Sequence, residues 1–164
     1  MIRLSTAISL FLFILVSCKS TNMEPESPNG RIKFEIRNEK EDLSYAIFLD
    51  DELMLLPSSF EFQFRNQPPF SGEMELELIS EGEVDETWEP LWGKSDRIQN
   101  NYREYVYRLA EAEPVDGESS RYLEWEIRIF NDGVAFRYRF PEESGFDQFK
   151  ITEELTGFYL DPSH

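Results

Sequence analysis

One histidine and one cysteine stand among the 164 residues of this chain. The histidine is the last residue, His164, and the cysteine is Cys18. A single thiol forbids an internal disulfide. Ser–His–Asp and Cys–His catalysis both need a positioned imidazole, so neither fits. A His/Cys zinc site fails on the same count. Positive charge is also scarce: 16 Lys and Arg face 33 Asp and Glu, a net −17. A surface of that sign repels nucleic acid and anionic lipid head groups. The acids are spread along the chain, which suits a solvated surface. Long helical patterns are absent as well, because no stretch after residue 20 keeps apolar residues at i, i+3, i+4 and i+7 over three turns.

The N-terminus reads as an address. Arg3 supplies a positive start, and residues 8–16 form an apolar run. That run is too short for a membrane span of about 20 residues, so it predicts a secretory signal. Leu15-Val16-Ser17-Cys18 resembles the bacterial lipobox. This resemblance implies a signal peptide over 1–17, cleavage before Cys18, and a lipid on the Cys18 thiol. Residues 18–27 then read as a tether and 28–164 as one domain. The mature chain would hold 147 residues, enough to bury a core. It loses only Arg3 among the charges, leaving 15 basic against 33 acidic residues, a net −18.

Aromatic residues make up 15 % of the chain, 14 of them Phe, and favour a β-rich core. Period-2 alternation dominates. It appears at Ile32, Phe34 and Ile36; at Phe60, Phe62 and Phe64; and at Met74, Leu76 and Leu78. It recurs at Tyr105, Tyr107 and Leu109, at Leu123, Trp125, Ile127 and Ile129, and at Val134, Phe136, Tyr138 and Phe140. Residues 43–49 form an apolar run, with a turn at Asp50-Asp51-Glu52 and a returning partner over 53–56. Asn131-Asp132-Gly133 can supply the positive φ of a tight hairpin. Residues 146–151 are a weaker strand candidate. Pro68-Pro69, residues 80–86 and residues 111–120 read as loops. One polar face per strand predicts antiparallel sheets, two of them packed into a sandwich.

Two segments carry more specific chemistry. In Trp88-Glu89-Pro90-Leu91-Trp92-Gly93, tryptophan can stack on the apolar face of a sugar while a carboxylate takes its hydroxyls. Packing of Trp88 and Trp92 against the sandwich or a neighbouring domain explains the same residues without a ligand. Asn100-Asn101-Tyr102-Arg103-Glu104 offers amides and a carboxylate, and a turn bonded to its own backbone is the plain alternative. Thirty-three acids guarantee some carboxylate pair at the about 5–9.5 Å that glycoside hydrolysis uses, so spacing selects none.

The segment 86–93, together with Asn131-Asp132-Gly133-Val134-Ala135-Phe136-Arg137-Tyr138, resembles the N-terminal domain of glycoside hydrolase family 97, bacterial α-glucosidases and α-galactosidases. Thr152-Glu153-Glu154-Leu155-Thr156 resembles it too, with Glu153 and Glu154 read as surface residues. The family segment Asn-His-Tyr-Asn-Glu is matched at Asn100, Tyr102 and Glu104, while Asn101 replaces His and Arg103 replaces Asn. An Asn keeps a hydrogen bond but cannot titrate.

The resemblance implies an all-β, supersandwich-like fold, and leaves open whether the sandwich is complete. It implies that the catalytic residues sit on a following (β/α)₈ barrel of roughly 250 residues, for which this chain has no room. No catalytic residue and no metal ligand is therefore assigned here. Calcium is expected in the complete family enzyme, with most ligands on the barrel. Candidate sugar contacts are Trp88, Glu89, Trp92 and Asn101. The implied partners are the barrel, an α-linked oligosaccharide and, through the lipid alone, the membrane of a bacterial cell envelope. Three readings stay open: the non-catalytic front of a glycosidase, a stand-alone lipoprotein that binds glycan, and a truncated product without independent function. Cys18→Ser is expected to release the protein from membranes. A Cys18→Ser form that still pellets with the membrane fraction contradicts the lipobox.

Overall fold

A computed structural model describes residues 24–39, 42–93, 96–112, 120–146 and 148–162. Nine strands run in chain order: β1 (Ile32–Glu39), β2 (Asp42–Leu49), β3 (Glu52–Ser59), β4 (Phe62–Phe64), β5 (Met74–Trp88), β6 (Ile98–Glu111), β7 (Tyr122–Phe130), β8 (Val134–Arg139) and β9 (Ile151–Glu154). They form an antiparallel β-sandwich. One sheet has the order β1-β2-β3 and the facing sheet β5-β6-β7-β8, with β4-β9 as a small third pair. Among the described residues there is no helix.

The alternating residues explain the layers. Side chains at every second position share a face, so Phe34 and Tyr45 of one sheet meet Trp125 and Phe136 of the other. Phe34 and Tyr45 stack at 5.2 Å, and both lie edge-on to Trp125, at 5.4 and 5.7 Å. Offset stacks and edge contacts are the arrangements aromatic quadrupoles prefer. Fully buried Ile127, Ile129, Leu109 and Leu123 complete this layer, in which Phe136 is half-buried. Tyr45 donates to the Gly157 carbonyl at 2.6 Å, and burial pushes its phenol up to about 12.

The hairpin turns differ from one another. Asp50 and Asp51 both take positive φ, 52° and 66°, so this two-residue loop has the primed geometry that matches strand twist. The expected positive φ at Gly133 is absent. The loop closes instead through a bond from the Phe130 amide to the Gly133 carbonyl, 2.8 Å, and its three residues all keep φ outside the left-handed region.

Three expected loops need correction. Residues 80–86 are strand, within β5. A bulge between Leu78 and Ser80 reverses the inward parity, from Met74, Leu76 and Leu78 to Glu81, Glu83 and Asp85. Beyond it the strand faces solvent on both sides, so its polar sequence imitated a loop. The segment 100–104 is likewise strand, paired with 82–86 on β5 and, from Tyr102, with β7. Glu111 ends β6 as a buried residue, while residues 113–119 of the expected loop lie outside the described part. The 146–151 candidate becomes a strand only from Ile151.

Glu111 is buried because of Arg121. The guanidinium takes the carboxylate in a two-pronged grip through Nε, 2.8 Å, and Nη2. It also donates to the carbonyls of Pro68 and Pro69, 2.9 Å each. Its face lies against Phe146 at 5.1 Å, with Phe64 and Phe70 just beyond. Gly145, at φ +78°, leaves the room this arginine needs, since a Cβ there would come within 3.3 Å of its side chain. Removing one member of a buried pair strands the other charge, so Arg121→Met is expected to cost about 3–5 kcal/mol in urea unfolding. Exchanging both, Arg121→Met with Glu111→Leu, should cost clearly less.

The outer face of the four-stranded sheet carries rungs of opposite charge: Glu77–Arg108, Glu104–Arg128, Arg137–Glu126 and Arg139–Glu124. Glu126 is 5 % exposed and bridges Arg128 and Arg137. Burial pushes its carboxyl up, but the Arg137 bond and the surrounding positive charge outweigh this and hold it below the ordinary value. A depressed carboxylate stabilises the fold above its unfolded pKa and loses that contribution as pH falls through its folded pKa. Stability should therefore decline on acidification below about pH 4.3, the ordinary Glu value. Arg137→Met should flatten that decline in urea titrations across pH 5 to 3.

Candidate functional site

Beyond the bulge β5 and β6 stay paired to Trp88 and Ile98, and β7 accompanies them only as far as Tyr102, so residues 85–88 and 98–101 run on as a two-stranded ribbon. Glu83 pairs with Arg103, Asp85 with Asn101, and Trp88 with Ile98. Polar rungs brace it, from Gln99 Nε2 to Asp85 at 3.1 Å and from Asn100 Nδ2 to Glu86 at 2.8 Å. The N-terminal segment straps it as well. Glu26 accepts from Arg103 at 2.8 Å, and Arg103 also reaches Glu83 at 3.2 Å.

The end of the ribbon is an aromatic cleft of about 520 Å³, lined by Trp88, Glu89, Pro90, Leu91, Trp92, Gly93 and Ile98. Trp88 closes β5, and residues 89–93 form the irregular turn that Pro90 and Gly93 predict. Gly93 has φ +139°, a region costly for residues with a side chain. Trp88 is 51 % exposed, Trp92 85 % and Leu91 95 %. These tryptophans therefore do not belong to the sandwich core, whose one tryptophan is Trp125.

Three of the four expected sugar contacts, Trp88, Glu89 and Trp92, thus share one cleft. Asn101 does not join them. It sits three positions from Ile98 on β6, and alternation puts it on the opposite face of the ribbon. There its side-chain Oδ1 is buried with no partner among the described residues. Cys18 lies outside the described residues. Glu153 and Glu154 are exposed on β9, as expected. The sequence did not announce Ile98 as a cleft wall, since a lone apolar residue beside a polar run carries no periodic signal.

Among the described residues, no three His, Cys, Asp or Glu side chains gather to hold a metal ion.

Fold and cleft together define an antiparallel β-sandwich domain with an exposed aromatic platform. The family model described as glycosyl-hydrolase 97 N-terminal matches residues 26–164. The chain belongs to that family. A glycoside hydrolase family 97 enzyme from Pseudoalteromonas sp. strain K8, solved in complex with panose, superposes with a TM-score of 0.77 at 27 % identity. The same enzyme in complex with acarbose gives the same values. Each match covers 87 % of this chain and 21 % of the relative, so the chain spans about a fifth of their length. A β-arabinopyranosidase shares the fold, with a TM-score of 0.68 at 20 % identity over 85 % of this chain and 21 % of that one.

Exposure makes a stability prediction. Trp88→Ala and Trp92→Ala should each stay within about 0.5 kcal/mol of the parent in urea unfolding. Trp125→Ala should cost about 3–5 kcal/mol. The first two should remove red-shifted emission, and the third blue-shifted emission.

Proposed function

We propose that this chain is the non-catalytic N-terminal domain of a lipid-anchored α-glycosidase of the bacterial cell envelope, an α-glucosidase or α-galactosidase. In this reading the cleft at the ribbon end contributes one wall of the sugar pocket. The (β/α)₈ barrel supplies the rest of that pocket, the reacting carboxylates and the calcium ligands. One observation carries the proposal: Trp88 and Trp92 stand exposed around Glu89 in one cleft, in a family with an enzyme solved in complex with panose and with acarbose. Indole faces stack on the C–H face of a pyranose, and the carboxylate accepts its hydroxyl protons.

A second reading, a surface lipoprotein that binds glycan without cutting it, is favoured by the same exposure. A platform already open needs no barrel in order to bind.

The two readings part in calorimetry of the isolated chain against maltooligosaccharides. The domain reading predicts binding too weak to detect at millimolar sugar. The stand-alone reading predicts a measurable affinity, lost in Trp88→Ala and Trp92→Ala. Both predict no hydrolysis of aryl α-glucosides or α-galactosides by the isolated chain, and turnover by pure protein contradicts both.

A further inference from the structure

Ahead of β1, the chain folds back as a small hairpin with the start of that strand. Ser27 N donates to the Ile32 carbonyl at 2.9 Å, and Ile32 N donates to Ser27 Oγ at 3.0 Å. Glu26 bridges to Lys33 behind them, and residues 28–31 form the tip. At that tip stands Asn29-Gly30, the one Asn–Gly pair of the sequence. Asn29 is exposed. Its backbone N–H donates to Asn131 Oδ1 at 3.0 Å, which ties the tip to the turn between β7 and β8.

Asparagine is a thermolabile residue. Its side-chain amide is attacked by the next backbone nitrogen when that nitrogen is unscreened and the amide carbon electrophilic. Glycine meets the first condition, since it has no Cβ. Gly30 sits at φ +71°, and outside its own neighbours the nearest heavy atom to a Cβ placed there is Glu26 Oε2, 3.9 Å away. The second condition is built by two donors on Asn29 Oδ1. The Arg31 N–H reaches it at 3.1 Å and the Ser27 hydroxyl at 2.8 Å. Ser27 is fully buried, and its oxygen accepts from Ile32 N, so its one proton is directed at Asn29. Attack on the amide carbon moves negative charge onto Oδ1. Donors already aimed there stabilise that charge, as an oxyanion hole does. One bond opposes the reaction, from the Gly30 N–H to the Ser27 carbonyl at 2.9 Å. It closes an exposed turn, and such bonds open locally at small cost.

We infer that Asn29 is a self-modification site, converted through a cyclic imide to aspartyl and isoaspartyl residues. Solvent hydroxide takes the Gly30 amide proton. The Gly30 nitrogen bonds to the Asn29 side-chain carbon, and the bond from that carbon to Nδ2 breaks. Nδ2 leaves as ammonia, with a proton from water. A water molecule then opens the imide at either carbonyl, and nothing is oxidised or reduced. Either product adds one negative charge to a chain already at −17. The isoaspartyl product also lengthens the backbone by one carbon, at the residue whose N–H holds Asn131. The tip is thereby released from the β7–β8 turn, and the change runs one way.

The test is ammonia release and peptide mass mapping of the Cys18→Ser chain at mildly alkaline pH, folded and in guanidinium chloride. Asn29 should convert at least about threefold faster in the folded chain than in the unfolded one, with isoaspartate found at residue 29. Ser27→Ala should slow the folded chain severalfold and leave the unfolded rate unchanged, because the two-donor clamp exists only in the fold. Amide hydrogen exchange at residue 29 should quicken in the isoaspartyl product. A folded chain that converts no faster than the unfolded one means that the turn protects Asn29, and overturns the inference. A Ser27→Ala chain with intact circular dichroism that converts as fast as the parent overturns it too. Unchanged exchange at residue 29 in the product overturns the release of the tip. Sugar binding at the Trp88–Trp92 cleft enters none of these readouts, so the two assignments fail separately.

Discussion

The buried pair of Arg121 and Glu111 holds together parts of the chain that no sheet connects. Pro68 and Pro69 have no amide hydrogen, so their loop cannot be secured by a ladder. Their carbonyls are secured by Arg121 instead. The same guanidinium fixes the last residue of β6 and forms the lid of the Phe64, Phe70 and Phe146 cluster. The start of β5 follows the proline loop, and its first residue, Met74, pairs with the same Glu111 that this arginine grips.

Sequence periodicity reports a face that is buried, and its success followed burial. The strands containing Phe34, Trp125, Ile127 and Phe136 were legible because each has one apolar side against the opposite sheet. The stretch 80–86 was not, because it is largely exposed, and 100–104 was not, because its one buried side chain, Tyr102, stands among polar neighbours. A strand held by backbone bonds and charged rungs has no hydrophobic signature. Glu111 misled for the opposite reason. An acidic residue beside Pro114 and Asp116-Gly117 reads as loop, and only the arginine ten positions on explains its burial.

The candidate site divided along the same line. Trp88, Glu89 and Trp92 are neighbours in sequence, so a local motif was enough to bring them together. Asn101 is near Ile98 in sequence but lies on the other side of the ribbon, because only an odd number of steps separates the two. Alternation along β6 decides this side, and the polar sequence of 98–104 concealed that these residues are strand at all.

That bulge has a consequence for how the chain can diverge. Before Ile79, the inward positions Met74 and Leu76 of β5 pack on the core, and substitutions there alter its volume. After it, the strand contributes no core residue. The ribbon can therefore drift in sequence while the sandwich stays under packing constraint. Asn101 and Arg103, the two departures from the family pattern at 100–104, stand on β6 directly across from Asp85 and Glu83 of this exposed stretch. One extra residue in an edge strand thus separates the inheritance of the fold from the invention of its surface.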